Sequence, residues 1–255
     1  MIEKKVIPDY FKEIEVCISY TAYKKSYANP ATHKTLYDVF VRMYEDSNLK
    51  TRTETVIESV GTAQYSKFKN LLPAFVLGDH FQQGSYNSND VSCQYPFKSL
   101  SKYFAIDLDG FNCDGDMLMV LDRIKQIDYV CCAFPSPSRF GFRVIVQTDF
   151  ETETFERYAN ENDNDVKFDI VENKFKPATE FILNEFAKDA SVLVKSEILA
   201  ICKKANVTGK DIKGYIKTKG LYHIDVLKDV SRMWFFSSIL SKDRPFIYIN
   251  NKPVA

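Results

Sequence analysis

The pattern of apolar and polar positions divides the chain into alternating short elements. EIEVCISY (13–20) alternates in the manner of a strand. NPATHKTLYDVFVRMYED (29–46) reads as a helix, with Asn29 as cap, Pro30 at the first helical position and an apolar stripe of Leu36, Val39, Phe40 and Met43. YSKFKNLLPAFVLGDHF (65–81) predicts a short helix stopped before Pro73, a strand over Ala74–Leu77 and a turn at Gly78–Asp79. The polar, turn-rich run 82–95 reads as a loop, and KYFAIDLD (102–109) as the next strand. DGDMLMVLDRIKQI (114–127) predicts a helix whose early acids, Asp114 and Asp116, suit the positive end of its dipole. YVCCAF and FRVIVQT form strands around the turn PSPSRFG. A further helix is expected over 151–162, and a helical pattern, in one piece or two, from Pro177 to Ala205. GLYHIDV, RMWFFS and FIYIN close the chain as strands. Strands and helices mix without strict alternation, which predicts an α+β class with an antiparallel or mixed sheet.

Composition narrows the class. At 45% hydrophobic and 14% aromatic residues, the chain can bury a substantial core as one domain over 1–255. Lys+Arg and Asp+Glu both number 34, so any nucleic-acid-binding surface has to be local. The six cysteines contain no C-x-x-C pair, which points away from a zinc ribbon and towards a reducing, cytoplasmic setting. The opening residues are charged throughout, unlike a signal peptide, and no apolar run reaches the roughly 18 residues of a membrane span.

The chemistry concentrates in FAIDLD. On a strand, Phe104, Ile106 and Leu108 face a core, while Ala105, Asp107 and Asp109 face a cleft or solvent. Two carboxylates about 4 Å apart repel by ~4 kcal/mol at an effective dielectric of about 20. Solvent, a shared proton or a divalent cation has to offset this, and hard carboxylate oxygens suit Mg²⁺ or Mn²⁺. An exposed strand-end pair and a metal site both remain open. The other D-x-D triplets, Asp114/Asp116 and Asp163/Asp165, read as a helix start and a solvated loop. An EF-hand loop is excluded, because Phe111 and Leu118 fall where oxygen ligands are required.

Two further constellations accompany the pair. FPSPSRFGFR (134–143) sets Ser136, Ser138, Arg139 and Arg143 around a tight turn, with hydroxyls and guanidinium forks suited to phosphate. A plain Pro/Ser turn with exposed arginines is the competing reading. YHIDVLKDVSR (222–232) repeats the oddity of an acid after an apolar residue at Asp225, with Asp229 and Arg232 close behind. His223 carries no assigned role.

Taken in order, FAIDLD, PSPSRFGFR and YHID resemble the three motifs of the archaeo-eukaryotic primase superfamily, which includes primase-polymerases. The nearest likeness is to the N-terminal domain of virulence-associated protein E, a domain of bacteria and mobile elements that often precedes a helicase. KNLLPAF (69–75) and KDVSRMWFFS (228–237) are similar to that domain's flanking segments, and IYIN to its last strand. The likeness covers roughly 60–150 and 220–250. It implies a primase-polymerase-like fold with a helical insertion at about 151–220. It further implies template-directed nucleotidyl transfer with two ions, Mg²⁺ or Mn²⁺, held by Asp107, Asp109 and Asp225. Ser136, Ser138, Arg139 and Arg143 then take the nucleoside triphosphate, and Arg232 either adds a phosphate contact or orients the acids. The implied partners are nucleoside triphosphates, a single-stranded DNA template and a helicase in cis or trans, in the cytoplasm of a bacterial or phage-infected cell. An inactive nucleic-acid-binding module and a metal-dependent nuclease are the alternatives. Two departures stand out: Arg143 occupies the place of the usual second-motif histidine, and residues 151–220 lengthen the path to the third motif. That insertion includes Lys210, Lys213, Lys217 and Lys219, suited to a template backbone or to a solvated face.

Overall fold

The computed structural model describes residues 7–19, 32–77, 101–111, 113–149, 151–161, 192–208, 222–225 and 234–252, with single positions between 163 and 177 and at 215. For 192–199 and 222–225 the description is of the backbone. Ten strands run in chain order among the described residues: β1 (Glu15–Ser19), β2 (Thr32–Thr35), β3 (Ala74–Leu77), β4 (Tyr103–Asp109), β5 (Val130–Pro135), β6 (Gly141–Gln147), β7 (Val192–Val194), β8 (Tyr222–Asp225), β9 (Trp234–Phe235) and β10 (Tyr248–Ile249). The helices are α1 (Leu36–Glu45), α2 (Ser47–Glu58), α3 (Tyr65–Lys69), α4 (Asp114–Ile124), α5 (Thr152–Asn160) and α6 (Lys195–Lys204).

Two sheets result, one of four strands in the order β2-β1-β3-β9 and one of six in the order β10-β5-β6-β4-β8-β7. Every pairing is antiparallel except that of the edge strand β7 with β8. The class is therefore α+β, with antiparallel sheets flanked by helices. One continuous apolar core joins both sheets to α1 and α4. Phe40 of α1 meets Phe134 of β5 edge-on at 5.6 Å, and Phe75 of β3 lies 6.1 Å from Phe236. No helix among the described residues is long and apolar enough to cross a membrane.

The first helix begins later than its pattern suggests. Thr32–Thr35 pair with β1, and Thr35 caps α1: its hydroxyl accepts from the Asp38 amide while the Asp38 carboxylate accepts from the Thr35 amide. This reciprocal cap satisfies otherwise unpaired helix-end donors and fixes the boundary. Asn29 and Pro30 lie outside the described residues. The stripe of Leu36, Val39, Phe40 and Met43 is buried as the periodicity requires. Helix α2 follows at once, capped by Asp46 accepting from the Leu49 amide. Its pattern is faint in sequence, because only Leu49, Thr53 and Val56 are buried.

The segment expected to be helical from Pro177 to Ala205 contains a strand. Val192–Val194 join the sheet edge parallel to β8, and α6 starts immediately after them. Short apolar runs rich in valine suit either state, and here pairing with an available edge prevails.

Strand β4 is central, with β6 on one side and β8 on the other. Its second face is not a solvent face: Ala105 and Asp107 are nearly as buried as Ile106 and Leu108. The strand stops at Asp109 because Gly110 takes a left-handed conformation (φ 101°). The Gly110 and Phe111 amides both donate to the Phe140 carbonyl at 3.1 Å, which locks the strand end to the β5–β6 turn.

Candidate functional site

The register of three strands builds the site. Asp107 of β4 pairs with Arg143 of β6 on one side and with Asp225 of β8 on the other. Two residues along, Asp109 pairs with Gly141 and His223. Directly opposed residues share a face of the sheet, with Cβ atoms about 4.5–5.5 Å apart, and residues i and i+2 share it about 7 Å apart. One face therefore carries two rows, Arg143–Asp107–Asp225 and Gly141–Asp109–His223. Sequence reasoning places Asp225 near the acid pair only through a resemblance. The pairing of β4 with β8 supplies the register.

Arg143 is the most constrained member. It is only 4% exposed, and its Nε lies 3.6 Å from Asp107 Oδ1, too long for a good hydrogen bond but close enough for ionic attraction. Its guanidinium carbon sits 5.3 Å from the centre of the Trp234 ring, a cation–π contact. Arg143 Nε and Nη1 are buried without a hydrogen-bond partner among the described residues. A cation held in this way is poised for an anion with oxygen acceptors.

Gly141 keeps the second row open. A Cβ placed there would lie 2.2 Å from the Leu108 carbonyl oxygen and 2.6 Å from Asp109 Oδ1. No other residue leaves room for both the backbone approach and the carboxylate.

The serine turn lies beside the rows. Ser136 and Ser138 place their hydroxyl oxygens 3.1 Å apart, and the Ser136 amide donates to the Gly141 carbonyl. Arg139 points into the protein instead. Its guanidinium donates to Ser237 Oγ and to the Ser238 carbonyl, and it pairs with Asp243 at 2.9 Å. Its backbone is left-handed (φ 65°), a strain this anchoring offsets. Burial pushes the Asp243 carboxyl above its ordinary value, against the opposing charge of Arg139. The arrangement ties the turn to the C-terminal segment.

Tyr65 and Lys69 of α3 border the same face, and sequence reasoning gave them no role. Burial pushes the Tyr65 phenol above its ordinary value. A hydrogen bond to Ser138 lowers it, and the charges of Asp109, Arg143 and Asp107 also reach it. The Lys69 ammonium lies 5.8 Å from the ring centres of both Tyr65 and Phe235. Lys69 opens the segment KNLLPAF, the one signal that could have drawn attention to it; Tyr65 has none.

Arg232, Lys210, Lys213, Lys217 and Lys219 lie outside the described residues. Among the described side chains no group of three His, Cys, Asp or Glu could hold a metal; Asp225 and His223 are described by backbone alone.

Residues 67–184 match the family described as BT4734-like, N-terminal domain. The matched stretch takes in β4, the serine turn and β6, and stops before β8. No curated protein matches the chain, and no solved structure does.

Proposed function

We propose that this chain is the catalytic domain of a DNA primase or primase-polymerase, performing template-directed nucleotidyl transfer. The observation that carries the reading is the row Arg143–Asp107–Asp225, which sets a buried cation and two acids side by side next to a serine turn.

Magnesium or manganese fits this donor set. Asp107, Asp109 and Asp225 are hard oxygen donors, and three acid positions against one buried guanidinium leave negative charge for a divalent cation to offset. When bound, such ions lower the pKa of an attacking hydroxyl and polarise a triphosphate.

The chain's own residues do the rest. Asp107 and Asp109 hold fixed positions because β4 is paired on both sides and closed at Gly110. Arg143 offers Nε and Nη1 to a phosphate oxygen, while Trp234 holds the guanidinium plane. Ser136 and Ser138 donate to the same phosphate tail, and Tyr65 orients Ser138. Arg139, committed to Asp243, serves by holding the turn in place rather than by touching the nucleotide. Gly141 preserves the space above Asp109.

The test is incorporation of labelled nucleotides on a single-stranded DNA template with Mg²⁺ or Mn²⁺. Wild type extends or initiates chains, Asp109→Asn abolishes incorporation, and Arg143→Ala raises the nucleotide concentration needed. Template binding without incorporation would replace this reading with a binding module. Strand cleavage without nucleotides would replace it with a nuclease.

A further inference from the structure

We propose that Phe140 is a stacking platform for a base of single-stranded DNA, holding the strand beside the end of β4; the proposal rests on the reading of this face as a polymerising site. Phe140 is 42% exposed, whereas every other phenylalanine whose side chain is described is buried or partly buried. A ring left in water forgoes the burial that stabilises the others, and an exposed aromatic face is a ready contact for a flat ligand.

The ring is mounted on a fixed support. The Phe140 carbonyl accepts from the Gly110 and Phe111 amides at 3.1 Å, and the Phe140 amide donates to Ser138 Oγ at 3.4 Å. Arg139, just before it, is left-handed (φ 65°) and tied to Ser237, Ser238 and Asp243. That anchored, strained residue fixes the direction in which the turn delivers Phe140. A ring on such a base loses little freedom when a ligand covers it.

The neighbours decide the ligand. Phe140 lies three residues from Arg143, at most about 10 Å along the backbone. Arg143 Nε and Nη1 are buried without a hydrogen-bond partner among the described residues, and the Ser136 and Ser138 hydroxyls belong to the same turn. A ligand that meets all of these carries anionic oxygens and flat aromatic faces, the constitution of a nucleic-acid strand. The ring stands exposed at a turn, which suits a strand passing over the surface better than a lone nucleotide, whose base needs enclosure. Acidic and basic residues number 34 each, so the chain as a whole attracts a polyanion weakly and stacking has to supply much of the affinity.

The experiment measures binding of the full chain to fluorescein-labelled oligothymidylate by anisotropy, alongside nucleotide incorporation. Phe140→Ala is expected to weaken binding by about five- to a hundredfold, the scale of one lost base stack. Phe140→Leu, as apolar but without a π-face, should weaken it similarly, and Phe140→Trp should retain it. On an abasic oligonucleotide of the same length, wild type and Phe140→Ala should bind alike. Because the ring is exposed, melting temperatures should stay close to wild type. Binding indifferent to Phe140→Ala overturns the proposal, and so does a leucine variant that binds as wild type does. Unchanged DNA binding with a raised nucleotide requirement in Phe140→Ala assigns the ring to the incoming base and overturns it too. DNA binding that depends on Phe140 without any incorporation keeps this proposal and overturns the polymerase reading; incorporation with DNA binding indifferent to Phe140 does the reverse. Neither binding nor incorporation in wild type overturns both.

Discussion

Arg143 and Asp107 face each other across the β4–β6 pair, Nε to Oδ1 3.6 Å, with both side chains almost wholly buried. Two opposite charges in so dry a place are held by mutual attraction and by the ring of Trp234, not by an ideal hydrogen bond. Removing Asp107 alone leaves the buried Arg143 guanidinium without this opposing charge.

Asp107→Asn is therefore expected to destabilise the fold by about 3 kcal/mol, the scale for breaking a buried pair. Arg143→Met should cost a similar amount. The double variant should recover much of the loss, because no charge remains buried. A double-mutant cycle by urea unfolding measures the coupling. Strict additivity would show that the two side chains do not interact.

Gly141→Ala forces a methyl group against the Leu108 carbonyl and the Asp109 carboxylate. Overpacking of this kind costs typically 1–3 kcal/mol, roughly the range expected here. Under the proposed nucleotidyl transfer, incorporation should fall further than stability explains, because Asp109 is displaced. Thermal melting alongside incorporation separates the two effects.

The Arg139–Asp243 pair anchors the serine turn. Asp243→Ala should cost about 3 kcal/mol, since it leaves a mostly buried guanidinium without its carboxylate. Amide exchange should then speed up at Ser136–Gly141 more than in β5. Uniform exchange across the sheet would argue against a local anchor.

Asp46 caps α2 and pairs with Arg42 at 2.7 Å, and the Leu49 amide chiefly holds its carboxyl below the ordinary value. A carboxyl depressed in the folded state stabilises the fold when ionised. That stability is present above the unfolded value of about 4 and is lost as pH falls through the lower, folded one. Asp46→Asn should flatten this acid limb in melting curves between about pH 5 and 2. The cap itself is worth about 1 kcal/mol, read from Asp46→Ala at neutral pH.

Cys131 is buried in β5, and burial pushes its thiol up to about 12. At pH 8 it should resist maleimide labelling in the native protein, whereas exposed Cys113 reacts. Mass spectrometry of labelled peptides before and after denaturation checks this.

Local signals recovered most of the elements. Pro73 and the apolar run after it mark the boundary between α3 and β3, and the stripe from Leu36 to Met43 marks the buried face of α1. The start of α1 was misread, because Pro30 offers a plausible helix start while the operative cap is the exchange between Thr35 and Asp38. Long-range facts were less legible. Val192–Val194 becomes a strand only because β8 presents an edge to it. The acid pair of β4 is visible as charge at the end of an apolar run, but the near-complete burial of Asp107 depends on what covers the sheet. Trp234 and Tyr65 could not be placed beside it from spacing. Arg139 looked like a phosphate fork and is a structural tie, since its partner Asp243 lies far along the chain.

β8 enters the sheet between β4 and β7, next to a strand synthesised long before it. Contacts of such wide sequence separation are costly to close and form late. A nascent chain can pair β5, β6 and β4 while the acids of β4 still lack their counterpart on β8. The pairing of Asp107 with Asp225 is then one of the last contacts to be made, so the rows on this sheet face are completed only when most of the chain has been synthesised.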